Sequence, residues 1–367
     1  MMITARHTYQ WLWGCLLTGC LLLFVACADD DSEEPQGGTL RLLSVTRQGE
    51  TTPEVVTEGA IRLFIATADN YTSGSFSGSN SVWTNTGAAV KENTQYYIYG
   101  YMPNNNTVVS DASIIEKPAG GDYSDGAVMT LSGLPVLTSE DICVIVGVGD
   151  AAATAAQGVY GYTSGIAGEN PVNLLMGHLY TQLQLRFCVD KDYYALRRIH
   201  LKAVNVNSTY VASGEKVTAT VNLAAGSGLS ADRVSFSDPA ATRPTTPESL
   251  PLLKLGDTDL GTDGYIDLVV APEQGAESPV YTVLSNIVNC PYSLFDGNGT
   301  YLSLECTYDV YDSADNLKIR ENCTSVNKIK VDSQAPGMRK VLTLTVEPTY
   351  LYVLADPDLD NPTIHVN

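Results

Sequence analysis

From Leu40 to Val346 the sequence is built almost entirely of short runs that are β-branched, aromatic or strictly alternating. Examples are Leu40-Arg41-Leu42-Leu43-Ser44-Val45, Gln95-Tyr96-Tyr97-Ile98-Tyr99-Gly100-Tyr101, Tyr180 to Phe187, Val217 to Val221 and Lys340 to Val346, each bounded by Gly, Pro, Asn or Asp. A period of two places neighbouring side chains on opposite faces of a sheet, whereas an amphipathic helix needs a period near 3.6. The only helical candidates are brief, for example Asp192 to Arg198. Many short strands separated by turn residues predict an all-β protein of antiparallel sandwiches. With 367 residues there is length for two such units. The Gly- and Asn-rich stretch Gly165 to Asn173 is the expected boundary, dividing residues 39–170 from residues 171–367. The 41 acidic side chains outnumber the 21 basic ones. That surplus would repel a nucleic-acid backbone, so no nucleic-acid partner is expected.

The N-terminus reads as an export signal. Residues 1–10 hold Arg6 and no acid, and Trp11 to Ala26 form an apolar stretch too short to span a bilayer comfortably. It ends in Phe24-Val25-Ala26-Cys27, which resembles the lipobox of bacterial lipoproteins, with cleavage between Ala26 and Cys27 and lipidation of Cys27. Phe24 stands where leucine is commoner. The acidic run Asp29-Asp30-Asp31-Ser32-Glu33-Glu34 follows directly. It resembles the signal that sends some Gram-negative lipoproteins to the outer face of the outer membrane, and it equally suits a solvated tether over residues 27–38. Two acyl chains suffice for stable anchoring, which one chain does not give.

The search for catalytic chemistry returns little. His178, His200 and His365 lie in no HxH or HExxH spacing, and His178 reads as a hydrogen-bonded core residue. There is no GxSxG elbow. The run Val144 to Ala152 contains GxGxxA after a strand, but Gly158 and Gly161 would end any following helix within two turns, and no acid closes a next strand. Asp356, Asp358 and Asp360 start like a calcium loop, which then fails at Asn361 and Asn367. Cys143, Cys188, Cys290, Cys306 and Cys323 are odd in number and form no CxxC, so most read as small core residues. A bridge among the last three stays open. No cofactor, metal or enzymatic activity is expected.

The order of several signatures is more informative than any one of them. Val82-Trp83-Thr84 leads to Gln95-Tyr96-Tyr97-Ile98-Tyr99-Gly100-Tyr101-Met102-Pro103. Leu174-Leu175-Met176-Gly177-His178-Leu179-Tyr180-Thr181-Gln182-Leu183 follows, and Leu342 to Pro348 with a short tail closes the chain. This succession resembles the fimbrillin family, the type V pilins and their Mfa-like relatives, over most of residues 27–367. Gly100 stands where the family often has Ala, and Cys143 where it often has Leu. The resemblance implies two transthyretin-like antiparallel β-sandwich domains in tandem, on a surface-exposed outer-membrane lipoprotein that becomes a structural or adhesive fimbrial subunit. It also implies maturation by an arginine-specific protease that cuts between the first two strands. Arg47, just past the first strand, is the favoured site and Arg41, within that strand, the lesser one. Removing the strand with Leu40, Leu42, Leu43 and Val45 would open a groove for the strand of another fimbrial subunit. The donor is expected from the C-terminal tail, through Leu351 and Val353 or through Ile364 and Val366. The alternative is a glycan-binding surface lipoprotein that stacks sugars on Trp83, Tyr96, Tyr97, Tyr99 and Tyr101.

Overall fold

The computed structural model describes residues 37–49, 53–166, 168–237, 245–254, 260, 263–291, 302–329, 335–349 and 358–366. Ala26, Cys27, the acidic run, Leu351 and Val353 lie outside them, as does the side chain of Val366. Strand accounts for 59% of the described residues and helix for 3%, as the alternating runs require of an all-β protein. The expected helix is a single turn, Lys191–Tyr194, capped by Asp190, whose Oδ1 accepts from the Tyr193 amide at 3.0 Å. By Arg197 the chain has already entered the next strand, Arg197–Ala212, so the helix is shorter than expected.

The largest sheet is built from the N-terminal half. Its main path runs Glu54–Val55, Gly38–Arg47, Glu169–His178, Cys143–Gly149, Gln95–Met102, Gly59–Ala66, Tyr71–Ser79 and Val82–Thr86. Its central strands are buried on both faces, and the period of two divides them between two apolar clusters. Ile61, Leu63, Ile65, Tyr96, Ile98, Cys143 and Ile145 join a smaller cluster with Leu40, Leu42, Val45, Leu174 and Met176. Phe64, Tyr99, Tyr101, Val144 and Val146 join the main core on the other side. This arrangement corrects the stacking-platform expectation. Tyr96, Tyr99 and Tyr101 are buried, and Tyr97 is packed partly against the main core. Tyr99 donates its hydroxyl proton to the Tyr123 carbonyl at 2.5 Å. The rings of Tyr96, Tyr99 and Tyr101 cannot receive a sugar face, and Trp83 is half-buried against the smaller cluster.

Gly100 sits on the central strand where the backbone comes closest to a neighbour. A Cβ there would stand 2.1 Å from the Arg62 carbonyl oxygen and 2.9 Å from Ile145 Cδ1. The glycine therefore has a packing cause, and Gly100→Ala should lower unfolding stability by about 1–3 kcal/mol in denaturant titration.

The two halves share structure. Gly126–Pro135 pairs with Lys216–Ala224 in a four-stranded sheet, and the main core runs without a break from Phe64 to Ile364. The expected boundary at 170/171 falls inside the strand Glu169–His178, and the chain changes sheet only after His178. Beyond it, Thr181–Val189, Arg339–Thr349 and Asp358–Val366 form one sheet, and Pro247–Leu253, Arg197–Ala212, Leu302–Asp312 and Lys318–Ile329 another. Most pairing is antiparallel, as expected, but two described strand pairs, and the isolated bridge Val189–Val270, are parallel. Gly38–Arg47 lies parallel to Glu169–His178, and Thr181–Val189 parallel to Arg339–Thr349. All five described cysteines, Cys143, Cys188, Cys290, Cys306 and Cys323, are buried and free.

Candidate functional site

The first strand is held along its whole length by groups distant in sequence. Thr39 to Arg47 pair with Glu169 to Met176 on one side. On the other, the Leu40 amide donates to the Ala88 carbonyl at 3.0 Å, Asn85 Nδ2 donates to the Leu40 carbonyl at 2.6 Å, and the Val56 amide donates to the Val45 carbonyl at 2.9 Å. Leu40, Leu42 and Val45 point into the smaller cluster. Each is worth about 1.5–3 kcal/mol of burial. Leu43, expected beside them, faces out by ordinary alternation with Leu40 and Leu42 and is 39% exposed, while the register shift between Leu42 and Ser44 is what returns Val45 to the inner face.

The C-terminal end of this strand is the most heavily fastened point. Arg47, expected just beyond the strand, is its last residue, opposite Met176 on one side and Glu54 on the other. Its guanidinium meets Asp141 at 3.0 Å, with side-chain exposures of 26% and 16%. His178, 9% exposed, joins the same carboxylate through Nδ1 at 2.8 Å, and its Nε2 lies 2.8 Å from the Gln48 carbonyl oxygen. Both partners of the ring are acceptors, so satisfying both requires both nitrogens to donate, which is the imidazolium form. The Gln48 amide donates to the Met176 carbonyl at 3.0 Å. The Arg47–Gln48 peptide is thus tied down from both sides. A cleft of about 250 Å³ opens beside it, lined in part by Asn286, Asn289 and Arg339.

The electrostatics follow from this geometry. Burial alone would lower the His178 pKa, but the hydrogen bond and charge of Asp141 and the Gln48 carbonyl outweigh it and hold it above the usual imidazole value. Burial alone would raise Asp141, yet His178 and Arg47 hold it below the usual carboxylate range. Cys143 Sγ lies 3.6 Å from His178 Nδ1, but burial and then the charge of Asp141 push its thiol well up. The neutral thiol is no nucleophile, and both His178 nitrogens are already engaged. The cluster can clamp a strand; it is not arranged for nucleophilic chemistry.

Sequence reading pointed to Arg47 and to a hydrogen-bonded His178, and the fold brings the two together. It gave no role to Asp141, which sits in a loop with one residue between it and the strand Cys143–Gly149. Arg41 is elsewhere, mid-strand opposite Pro171, in an exposed ion pair with Glu169 at 2.9 Å. The tail strand Asp358–Val366 lies at the edge of its own sheet, with Ile364 buried and paired to Val346. It would have to leave that sheet to reach a neighbour.

No family model and no curated protein matches the chain. Among solved structures, a fimbrial protein from Bacteroides vulgatus ATCC 8482 is 12% identical with a TM-score of 0.45, over 90% of this chain and 98% of that one. A candidate cell adhesion protein from Bacteroides fragilis NCTC 9343 is 10% identical with a TM-score of 0.41, over 90% and 97%. Another from Bacteroides ovatus ATCC 8483 is 13% identical with a TM-score of 0.36, over 90% and 95%. These neighbours carry names of the kind the motif order resembles.

Proposed function

We propose that the chain is the precursor of a structural or adhesive subunit of a surface fimbria, exported as a lipoprotein on Cys27 and assembled by strand exchange. The observation that carries this reading is the first strand. It is N-terminal, fills an apolar groove with Leu40, Leu42 and Val45, and ends at an arginine, after which a cut would free it. Cleavage after Arg47 severs it from the rest of the chain while leaving the groove walls, Glu169–His178 and the segment around Ala88, in place. An open groove with unpaired ladder groups favours capture of a neighbour's strand. The clamp of Asp141 and His178 keeps the precursor closed until the protease acts.

The test is limited digestion of the purified chain with an arginine-specific protease. The expected product begins at Gln48 and runs as a ladder on unheated denaturing gels, while Arg47→Ala stays uncut at this position and monomeric. A cut chain that stays monomeric after loss of its first strand would sink the assembly mechanism.

A further inference from the structure

A second histidine cluster lies in the other half of the molecule and plays no part in the strand clamp. His200 is on the long strand Arg197–Ala212, between Ile266–Asp267 on one side and Leu302–Asp312 on the other. Its ring is stacked on Tyr265, centroids 3.7 Å apart at 7°, and on Tyr311, 4.2 Å apart at 28°. The two tyrosines come from opposite flanks and fix the plane of the imidazole, whose side chain is 3% exposed. Nε2 points to two carboxylates, Asp267 Oδ1 at 3.0 Å and Asp315 Oδ1 at 2.9 Å. Neither oxygen is aligned with the ring for a hydrogen bond, and both nitrogens of this buried ring lack a hydrogen-bond partner.

We propose that His200, Asp267 and Asp315 bind a divalent transition-metal ion, zinc before magnesium or calcium. Three donor atoms, one nitrogen and two oxygens, lie within 4.8 Å of one another. Zinc bonds of about 2.0 Å arranged tetrahedrally set donor atoms about 3.3 Å apart, so small shifts would seat the ion. Off-axis oxygens are poor hydrogen-bond acceptors for Nε2–H, but suitable co-ligands around an ion that replaces that proton. An imidazole nitrogen selects zinc and its neighbours in the series over hard cations, which prefer all-oxygen sites. In the described ion pairs neither Asp267 nor Asp315 meets a lysine or arginine, while nearby Lys318 is taken by Asp309 at 3.1 Å and Glu321 at 3.3 Å. The ion would join three separate segments: the strand of His200, the short strand of Asp267 and the hairpin turn of Asp315.

The measurement is calorimetric titration of the full chain with zinc chloride near pH 7.5, beside the double variant Asp267→Asn, Asp315→Asn. Both carboxylates reach solvent, and far-UV circular dichroism checks that the variant keeps its fold. The expected result is that the variant loses one bound equivalent, or binds it at least about tenfold more weakly. Magnesium and calcium chloride should give no comparable heat. Zinc binding that is absent from the parent chain, or equal in parent and variant, would overturn the site, and equal affinity for magnesium or calcium would overturn the choice of metal.

Discussion

Leu40→Ala and Leu42→Ala should each lower the unfolding free energy of the intact precursor by about 2–5 kcal/mol, read as a fall in denaturant midpoint at unchanged slope. Both side chains are buried in a groove whose other walls come from strands far along the chain, so the vacated volume cannot be refilled by a neighbour on the same strand. The two sit on the same face two positions apart, so their effects are not expected to add. After a cut behind Arg47 the same variants should release the first strand sooner and polymerise faster, because the strand is then held only by its contacts. Thr39→Ala, on the exposed face of this strand, should change neither quantity appreciably. Equal behaviour of core-facing and exposed substitutions would argue that the strand is not what keeps the precursor closed.

The clamp at Arg47 predicts a pH-dependent cut. His178 has a folded pKa above its unfolded one, so its contribution is complete below the ordinary imidazole value of about 6.5 and is lost as pH rises through the raised value. Asp141 has a lowered folded pKa, so its contribution is complete above the ordinary carboxylate value of about 4 and is lost as pH falls through the lowered one. The end of the strand is therefore held most firmly between about pH 4 and 6.5 and loosens on the alkaline side. The first bond to go is that from His178 Nε2 to the Gln48 carbonyl, since the carboxylate retains the other proton. After correction for the protease's own pH profile on a short peptide, cleavage after Arg47 should accelerate above neutrality. Asp141→Asn should accelerate it about tenfold at pH 6, the consequence of about 1.5 kcal/mol less cost for local opening. A corrected rate that is flat with pH and unmoved by Asp141→Asn would mean that the clamp does not gate the cut.

Much of the fold was legible because alternation is a local signal. Leu40 to Val45, Gln95 to Tyr101 and Thr181 to Phe187 could be assigned to strands from their own residues. Which face of a strand meets solvent is not local. Tyr99 and Tyr101 look like a display of rings until both flanks of Gln95–Met102 are known to be covered. The partner of the first strand was equally hidden, since a parallel neighbour must arrive through a long crossover, and Glu169–His178 does so only after most of the N-terminal sheet is complete. Arg47 and His178 were each visible, while Asp141 became meaningful only once it stood between them. The trio of His200, Asp267 and Asp315 has no spacing to read, because its members come from three segments joined by the sheet and by a hairpin turn. Leu43 failed for a different reason: alternation from Leu40 and Leu42 already turns it outward, and only a bulge after Leu42, which nothing in Leu42-Leu43-Ser44 announces, lets Val45 share their face.

The direction of the first strand sets the sense of any replacement. It lies parallel to Glu169–His178, and parallel ladders, with their slanted bonds, are slightly less stable per residue than antiparallel ones. An incoming segment that ran the opposite way would make the ladder with Glu169–His178 antiparallel, but would turn the short pairings with Glu54–Val55 and Ala89–Val90 parallel. The groove is thus addressed from both sides, and only a replacement of the original sense keeps every one of these pairings.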